Sequence, residues 1–297
     1  MTSAVDAVFA SNSVRPTIRD IVDADINSTI NLLARGFPRP RRYWEVGFER
    51  LQTRSPPSNM SRYGYLLEAE GRPVGVILLI SSLRHIDGRQ ELFSNLSSWY
   101  VEPGYRSYAA QLFKHALANK HTTYLNISPA TYVLPFMEAF SFKRYSGGQV
   151  LAPLAFALNQ SLGGSIVRIE NFGDCNLERW ERHLLEKQVS YGCIAFCCVT
   201  NGEIRPFAFV PRLIKGFIPC AQLVYCRKIA DLVDVAGTVG RHLLLHGRPF
   251  VLIDANGAIP GIAGKYFAGV APKYYRGSTR PVLGDVTETE ATIFGFS

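Results

Sequence analysis

Apolar and polar positions in the first half of the chain predict two β-strands joined by a tight turn. Apolar and β-branched residues fill positions 63–70 and 73–81, and the turn Glu70-Gly71-Arg72 separates them. A short glycine-containing turn between two such runs is typical of a β-hairpin. Similar strand patterns occur at residues 14–19, 91–101, 122–127 and 142–145.

Helical patterns alternate with these strands. Asp23 and Asp25 precede apolar positions at helical spacing, where an acidic residue is suited to cap a helix. Further helical patterns follow at residues 43–51, 106–119 and 132–140. Strands and helices mixed in this way predict an α/β (α+β) fold, in which helices flank a mixed central β-sheet.

The second half of the chain repeats this order of elements. Strand patterns occur at residues 165–170, 191–200, 205–211, 220–225 and 249–253, and helical patterns at 177–187, 230–246 and 259–268. The turn Asn201-Gly202-Glu203 again predicts a hairpin. We therefore expect a tandem of two similar domains, residues 13–150 and 164–297, each with its own mixed sheet, that meet near residues 149–164.

Length and composition agree with two globular domains. The chain has 297 residues, of which 47% are hydrophobic and 19% charged. Residues 1–12 read as a flexible tail and lack the basic and apolar regions of a signal peptide. The longest apolar stretch, residues 150–158, is too short to span a bilayer. We expect a cytoplasmic protein without membrane contact, whose six cysteines are reduced.

The formal net charge of +8 bears on the expected ligand. The densest basic cluster, Arg35, Arg39, Arg41 and Arg42, is interleaved with prolines and aromatic residues. A positive field suits an acidic small substrate or a phosphorylated cofactor, which need far less surface than nucleic acid. A merely solvated basic face explains the charge equally well, so nucleic acid is not the expected partner.

Candidate metal ligands are sparse. His242 and His246 have a metal-compatible spacing of four residues, but the residues between them are apolar. The pair Cys197-Cys198 lacks the spacing of a zinc site. Because a helix C-terminus also favours histidines through its dipole, we expect no metal here.

Four segments of the first half, taken in order, resemble the GNAT superfamily of acyl-CoA-dependent N-acyltransferases. They are residues 17–25, like that family's first strand and helix start; 68–75, like its second hairpin; 99–106, like its fourth strand running into the cofactor loop; and 139–142, where the family has a Gly-Phe pair. The resemblance covers residues 14–148 and rests on the order of the motifs.

The resemblance implies an acyl-CoA site, with acetyl-CoA as the simplest co-substrate. Its cofactor-binding residues fall at Tyr100, Val101, Arg106, Ser107, Tyr108, Ala109 and Ala110. A helix N-terminus that follows a strand presents unpaired N–H groups to a pyrophosphate, and glycine normally allows the close approach. The family's two glycine positions fall at Ala109 and Gln111, which predicts an altered phosphate site.

The catalytic groups implied by the resemblance are less complete. The tyrosine that protonates the leaving thiolate in many family members falls at Met137, which has no proton to give. Tyr132 is the first substitute, followed by Tyr124 and Ser128. For the base that deprotonates the acceptor we name Glu91, with Glu102 and Glu68 as alternatives; solvated strand-end carboxylates are the simpler explanation of each.

The second half keeps the layout without the cofactor motif. Residues 228–234 contain no glycine, and Asp231 at the expected helix start would repel a phosphate. We expect this half to shape the substrate site or act as a scaffold.

The function predicted from the sequence is transfer of an acyl group, most simply acetyl, from acyl-CoA to an amine of a small molecule. One alternative is a non-catalytic binding or scaffold protein on the same fold. Another is a Fem-type transferase that uses aminoacyl-tRNA, which the positive charge suits although no coiled-coil arm is visible.

Overall fold

The computed structural model of the protein describes residues 15–86, 88–155, 164–168 and 176–295. Its strands are β1 Thr17–Asp20, β2 Gly64–Ala69, β3 Arg72–Ile86, β4 Arg89–Val101, β5 Thr123–Asn126, β6 Lys143–Pro153, β7 Ser165–Arg168, β8 Ile194–Thr200, β9 Glu203–Ile214, β10 Ile218–Cys226, β11 Phe250–Ala255 and β12 Lys265–Arg276. Its helices are α1 Ile26–Gly36, α2 Arg41–Gln52, α3 Ala109–Ala116, α4 Leu134–Ala139, α5 Arg179–Ser190, α6 Ile229–Asp234, α7 Ala236–Leu245 and α8 Glu290–Ile293.

The two halves have the same strand arrangement. In the first half β1 to β4 pair antiparallel in sequence order, and β5 joins β4 in parallel. In the second half β7 to β10 pair antiparallel, and β11 joins β10 in parallel. The predicted repeat of elements and both predicted hairpins are confirmed.

All twelve strands belong to one continuous sheet, in the order β1-β2-β3-β4-β5-β12-β6-β11-β10-β9-β8-β7. The last strand of each half pairs with the other half: β12 pairs with β5, and β6 pairs with β11. This exchange pairs the strand edges at which each half would otherwise end, and unpaired edges are costly. The predicted mixed sheet with flanking helices is confirmed, but the halves share it.

The exchange bears on the predicted domain boundary. Strand β6 extends to Pro153 and is already paired with β11 of the second half from Gly148 onward. The stretch 156–163, which contains most of the glycine-rich link at 161–164, lies outside the described residues, as does the predicted tail at 1–12. Domains at 13–150 and 164–297 therefore stay a prediction.

Two helix predictions in the second half were wrong. The pattern at residues 259–268 predicted a helix, but β12 begins at Lys265. A Cβ atom on Gly264 would lie 2.8 Å from the carbonyl oxygen of Leu151, so glycine allows this strand to approach β6. The single helix predicted at 230–246 is divided into α6 and α7.

The C-terminal segment returns from the second half to the first. The ring of Phe294, just after α8, packs edge-on against Trp44 of α2 with ring centroids 5.7 Å apart. Gly47 makes room for it, because a Cβ atom there would lie 1.9 Å from the Phe294 ring. This contact places Ile293 and Phe294 in the first-half core.

A buried ion pair holds the C-terminal segment between the halves. The carboxylate of Glu288 lies 2.7 Å from the Arg54 guanidinium of the first half, and these side chains are only 9% and 6% exposed. Lys187 of α5 approaches the same carboxylate at 2.9 Å. These cations hold the pKa of Glu288 below its usual value against the opposing effect of burial.

A cavity of about 450 Å³ lies beside this junction, between the two halves. Arg54, Glu288 and Lys187 line it, and their charges are already used in the ion pairs just described. On its other wall the imidazole of His85 stacks on the indole of Trp180, with ring centroids 4.4 Å apart. The charged groups of this cavity thus serve to join the halves.

Candidate active site

Strands β4 and β5 separate and leave an opening in the first half. Their parallel pairing covers three residue pairs and ends at Asn95 and Leu125. Strand β4 continues to Val101, whereas β5 ends at Asn126. The Asn95 side-chain amide donates to the Leu96 carbonyl oxygen at 2.7 Å at the point of separation. We call this opening the first-half cleft.

A β-bulge in β4 faces the first-half cleft. The register with β3 shifts between the pairs Val76–Tyr100 and Leu78–Ser97, which places one extra residue in β4. Ser98 has a positive φ of 52°, an uncommon conformation for a residue other than glycine. A bulge interrupts the ladder and redirects neighbouring side chains. Ser97, Ser98 and Trp99 accordingly line a cavity of about 240 Å³.

A carboxylate from the far end of the chain lies in the first-half cleft. Glu290, the first residue of α8, lines the cavity and is half-buried. Its backbone N–H donates to the Asn95 Oδ1 atom at 2.9 Å. The hydroxyls of Ser97 and Ser128 donate to its two carboxylate oxygens. Glu290 therefore connects β4 with the loop that follows β5.

The electrostatics of Glu290 differ from those of an ordinary surface carboxylate. Burial raises the pKa of its carboxyl group, and the hydroxyls of Ser128 and Ser97 and the charge of Lys273 oppose that rise only in part. Burial of the Tyr43 phenol, together with the nearby charge of Glu290, raises the pKa of Tyr43 to about 12. A carboxyl group with a raised pKa can exchange protons nearer neutral pH.

Local capping fixes the backbone that carries Glu290. The hydroxyl of Thr289 accepts from the Ala291 N–H at 3.3 Å and donates to the Val286 carbonyl oxygen at 2.6 Å. At the other end of α8, the guanidinium of Arg50 donates to the carbonyl oxygen of Ile293 at 2.9 Å. Both ends of this short helix are satisfied, as helix ends require.

Aromatic side chains form one wall of the first-half cleft. Trp44 and Trp99 line it, and their indole N–H groups have no hydrogen-bond partner among the residues the structure describes. Tyr43 lies beside them, and the Arg39 guanidinium carbon is 5.3 Å from the centroid of its ring. This wall can contact the apolar part of a ligand.

The structure brings one of the two predicted catalytic residues to the cleft. Tyr132 lines the cavity from the 3₁₀ turn Thr131–Val133 and is 74% exposed. Glu91 does not reach it: this residue lies six positions before Ser97, which along a strand is roughly 20 Å. Its carboxylate accepts a hydrogen bond from the Thr279 hydroxyl at 3.2 Å.

The alternative bases are held in ion pairs. The carboxylate of Glu68 lies 2.6 Å from the Arg19 guanidinium. Glu102 is paired with Arg72 at 2.7 Å and with Arg35 at 3.0 Å. These cations hold the pKa of Glu102 below its usual value against the effect of burial. A carboxylate held in this way is a weak proton acceptor.

Met137 lies beside the cleft without lining it. Its side chain is 0% exposed in the core beneath α3 and α4. The Asn126 amide, which does line the cavity, approaches its sulfur at 3.6 Å. Met137 therefore supports the wall of the cleft through Asn126.

Tyr100 and Val101, the first two of the predicted cofactor-binding residues, lie just beyond the bulge. The ring of Tyr100 packs so tightly on Gly36 that a Cβ atom there would lie 2.5 Å from it. Val101 is buried and pairs with Gly75 of β3. Among the described residues that line the cavity, those from β4 are Leu96, Ser97, Ser98 and Trp99, and neither Tyr100 nor Val101 is among them.

The predicted phosphate loop has a tighter backbone than expected. Residues Pro103–Tyr108 form a 3₁₀ turn that continues into α3, and the Ala109 N–H donates to the Arg106 carbonyl oxygen. This amide is thus already bonded. The side chains of Arg106 and Ser107 are exposed, whereas Tyr108 packs partly on the core and Ala110 is exposed. Side chains, more than backbone amides, remain to hold a phosphate here.

The corresponding opening of the second half is closed by the chain itself. Parallel pairing of β10 with β11 also covers three pairs and ends at Gln222 and Leu252. Beyond that point the Val286 N–H donates to the Val224 carbonyl oxygen and the Cys226 N–H to the Gly284 carbonyl oxygen, both at 2.9 Å. The segment 284–286 therefore lies along β10 where the second-half opening would be.

Gly284 makes this closure possible. It has a φ of 91°, and a Cβ atom there would lie 2.5 Å from the Cys226 sulfur.

In the same half the Lys228 N–H donates to the Asp231 carboxylate at 3.2 Å, so an acidic side chain caps the start of α6. A backbone segment and an acidic cap both disfavour a phosphorylated cofactor here.

The sequence analysis missed Glu290 and the two serines that bond to it. Ser97 and Ser128 belong to the first half and Glu290 to the second, so no spacing along the chain relates them. The one local signal was Thr289, a residue type favoured at a helix N-cap, before a glutamate that opens a short helix.

Within the described residues there is no cluster of three or more potential metal ligands, and no helix is long and apolar enough to cross a membrane.

The fold is that of the GCN5-related N-acetyltransferases. A GCN5-related N-acetyltransferase from Anabaena variabilis superposes with a TM-score of 0.60 at 12% identity, over 88% of this chain and 72% of that chain. One from Kribbella flavida gives 0.52 at 12% identity, over 90% and 72%. A Pyrococcus horikoshii protein provisionally described as an acetyltransferase gives 0.54 at 14% identity, over 93% and 94%.

These identities establish a shared fold, and the high coverage shows that both halves take part in it. No protein-family model matches the sequence, and no curated protein matches it. The resemblance to the GNAT superfamily predicted from the sequence is therefore confirmed at the level of the fold.

Proposed function

We propose that this protein is an acyl-CoA-dependent N-acyltransferase that works in its first-half cleft. The observation that carries the proposal is the separation of β4 from β5 at Asn95, with the β4 bulge and the Glu290 carboxylate at the point of separation. The shared fold supports it, and the acceptor is an amine of a small molecule. A cavity of about 240 Å³ suits an acceptor of that size.

The residues of the cleft fit an acyl-CoA, which when bound supplies an activated thioester. The aromatic wall formed by Trp44 and Trp99 can pack against the apolar part of the ligand. The side chains of Arg106 and Ser107 are exposed near the start of α3, and a guanidinium and a hydroxyl there could hold a pyrophosphate. Because the local amides are bonded internally, Arg106 carries more of this contact than glycine-loop amides would.

The chain's own groups then direct the transfer. Beyond Asn95 strand β4 is paired with β3 but no longer with β5. Backbone N–H groups on the β5 side, from the bulge towards Tyr100 and Val101, can therefore stabilise an oxyanion on the thioester carbonyl. The phenol of Tyr132 lines the cavity and can protonate the departing thiolate. The amine nitrogen forms a bond to the carbonyl carbon as the carbon–sulfur bond breaks.

Calorimetry with acetyl-CoA and longer acyl-CoAs tests the proposal. We expect one molecule bound per chain, because segment 284–286 closes the second opening. Arg106→Ala should weaken binding by about 1.5–3 kcal/mol, the range for a charge-assisted hydrogen bond. Asp231→Ala, in the second half, is the matched control and should leave affinity unchanged.

The opposite results have definite meanings. If no acyl-CoA binds, the protein is a scaffold on this fold. If Asp231→Ala alters affinity while Arg106→Ala does not, the cofactor belongs to the second half.

A further inference from the structure

We propose that Glu290, delivered by the C-terminal segment of the second half, is the base that takes a proton from the acceptor amine in the first-half cleft. This inference rests on the proposed function. It gives the second half a direct part in the chemistry, although its own opening is closed by residues 284–286 of the same segment.

Glu290 lies at the position in the first-half cleft that a base requires. It lines the same cavity as Tyr132 and the bulge residues Ser97 and Ser98. Its backbone is bonded to Asn95, the residue at which β4 and β5 part. Glu290 is half-buried, so protein atoms surround most of its side chain, and it still lines the cavity. A base must be near the nucleophile, and Glu290 lies where an acceptor in this cleft would be.

The surroundings of Glu290 differ from those of Glu288, a structural carboxylate two residues away. Glu288 is paired with Arg54 and Lys187, and these cations stabilise its charged form. The Glu290 carboxylate accepts hydrogen bonds from the hydroxyls of Ser97 and Ser128. Hydroxyls stabilise a carboxylate less than cations do, so Glu290 keeps the greater affinity for a proton.

The groups that face Glu290 come from every neighbouring element. Ser97 of β4 and Ser128 after β5 donate to its carboxylate. Tyr43 of α2 is close enough to be affected by its charge. Lys273 of β12 attracts it and is itself paired with Asp254 at 2.9 Å. Burial outweighs these contributions and raises the pKa of Glu290.

The reaction moves two protons from the acceptor nitrogen and exchanges a carbon–sulfur bond for a carbon–nitrogen bond. The carboxylate of Glu290 takes one proton from the acceptor ammonium and releases a neutral amine. The amine nitrogen bonds to the thioester carbonyl carbon, and the carbon–sulfur bond breaks. After the new bond forms, the nitrogen loses its second proton to solvent. Tyr132 donates its phenolic proton to the thiolate and then regains a proton from solvent. Glu290 returns its proton to solvent before the next turnover.

The test measures acyl transfer from acetyl-CoA to a panel of small amines as a function of pH. In the parent protein kcat/KM should rise with pH as Glu290 loses its proton. Glu290→Gln removes the base while nearly conserving shape, so turnover should fall by about 100-fold or more. The increase of kcat/KM with pH that is due to Glu290, the rising limb of the pH profile, should disappear. The affinity for acetyl-CoA, measured by calorimetry, should stay unchanged.

Two further carboxylate variants separate the base from general effects. Glu138→Gln, on the exposed side of α4, changes the same functional group and should leave the profile as in the parent. Glu91→Gln tests the base expected from the sequence. If Glu91→Gln removes the limb and Glu290→Gln does not, the inference is overturned.

Two other outcomes complete the design. Glu290→Asp keeps a shortened carboxylate and should retain the rising limb at reduced turnover, which supports the inference even if the glutamine variant fails to fold. Full turnover of Glu290→Gln would overturn the inference and leave the proposed function intact. Absence of acetyl-CoA binding by the parent protein would instead overturn the proposed function.

Discussion

The two openings of this protein begin alike and differ in what fills them. In the first half β4 pairs in parallel with β5 over three residues, and in the second half β10 pairs with β11 in the same way. Beyond this pairing each of the two strands contains a bulge, β4 near Ser98 and β10 near Val224. The first opening contains a cavity bordered by Glu290, whereas segment 284–286 lies along the second.

The difference teaches that one stretch of chain can determine the roles of both halves. The C-terminal segment closes the second opening, passes through the ion pairs of Glu288, and then places Glu290 in the first. A repeated fold thus acquires unequal halves through one segment that is long enough to reach both. The predictions below test this asymmetry.

The largest expected effect is on stability, at the junction between the openings. Glu288→Gln leaves the Arg54 guanidinium buried without its carboxylate, and breaking a buried pair in this way costs about 3–5 kcal/mol. Chemical denaturation should show this loss in the free energy of unfolding. Arg42→Gln, which breaks an exposed pair with Glu49, is the control and should cost under about 1 kcal/mol.

Gly284→Ala should be next in size, because it forces a Cβ atom against the Cys226 sulfur in a left-handed backbone conformation. We expect a loss of about 2–4 kcal/mol from the combined strain and overpacking. Gly216→Ala shares the positive φ, at 79°, but has open space around it, so it should cost only about 1–2 kcal/mol. Equal losses in the two variants would mean that segment 284–286 does not pack tightly on β10.

A smaller effect is expected on turnover from the proton donor. Tyr132→Phe removes only a hydroxyl, so turnover should fall at least about tenfold, or 1.4 kcal/mol of transition-state stabilisation, with unchanged acyl-CoA affinity. Met137→Leu conserves volume and polarity in the core beneath the cleft and should stay within a small factor of the parent. Parental turnover in both variants would show that another group or water is the acid.

The smallest effect is a difference in pH dependence between the two glutamates. The pKa of Glu290 is raised, so its contribution to stability is fully present below its ordinary value of 4.5 and is lost as pH rises through its folded pKa. The melting temperature of Glu290→Gln, relative to the parent, should therefore increase with pH. The pKa of Glu288 is lowered, so its contribution is present above 4.5 and lost in acid, and Glu288→Gln should show the opposite trend. If the melting temperatures of both variants, relative to the parent, changed with pH in the same direction, Glu290 and Glu288 would not differ in the direction of their pKa shifts.

The sequence by itself determined the elements that depend on neighbouring residues. The turns at Gly71 and Gly202 have positive φ values of 73° and 78°, and both join the predicted hairpins β2–β3 and β8–β9. Turn chemistry and strand alternation act over a few residues, which is why the repeat and the fold class were visible. The acyl-CoA loop and Tyr132 were reached through motif order, and their roles stay predictions.

Only the tertiary structure decided which residues meet. The exchange of β6 and β12 depends on pairing across more than one hundred residues, as between Tyr275 and Leu125, and no local pattern encodes such a partner. The same holds for Glu290, which meets Ser128 and Ser97 because Arg54 and Arg50 draw the C-terminal segment onto the first half. Local preferences fix the shape of a segment, but its position is fixed by the burial and charge it finds in the rest of the fold, and those exist only once the chain has folded.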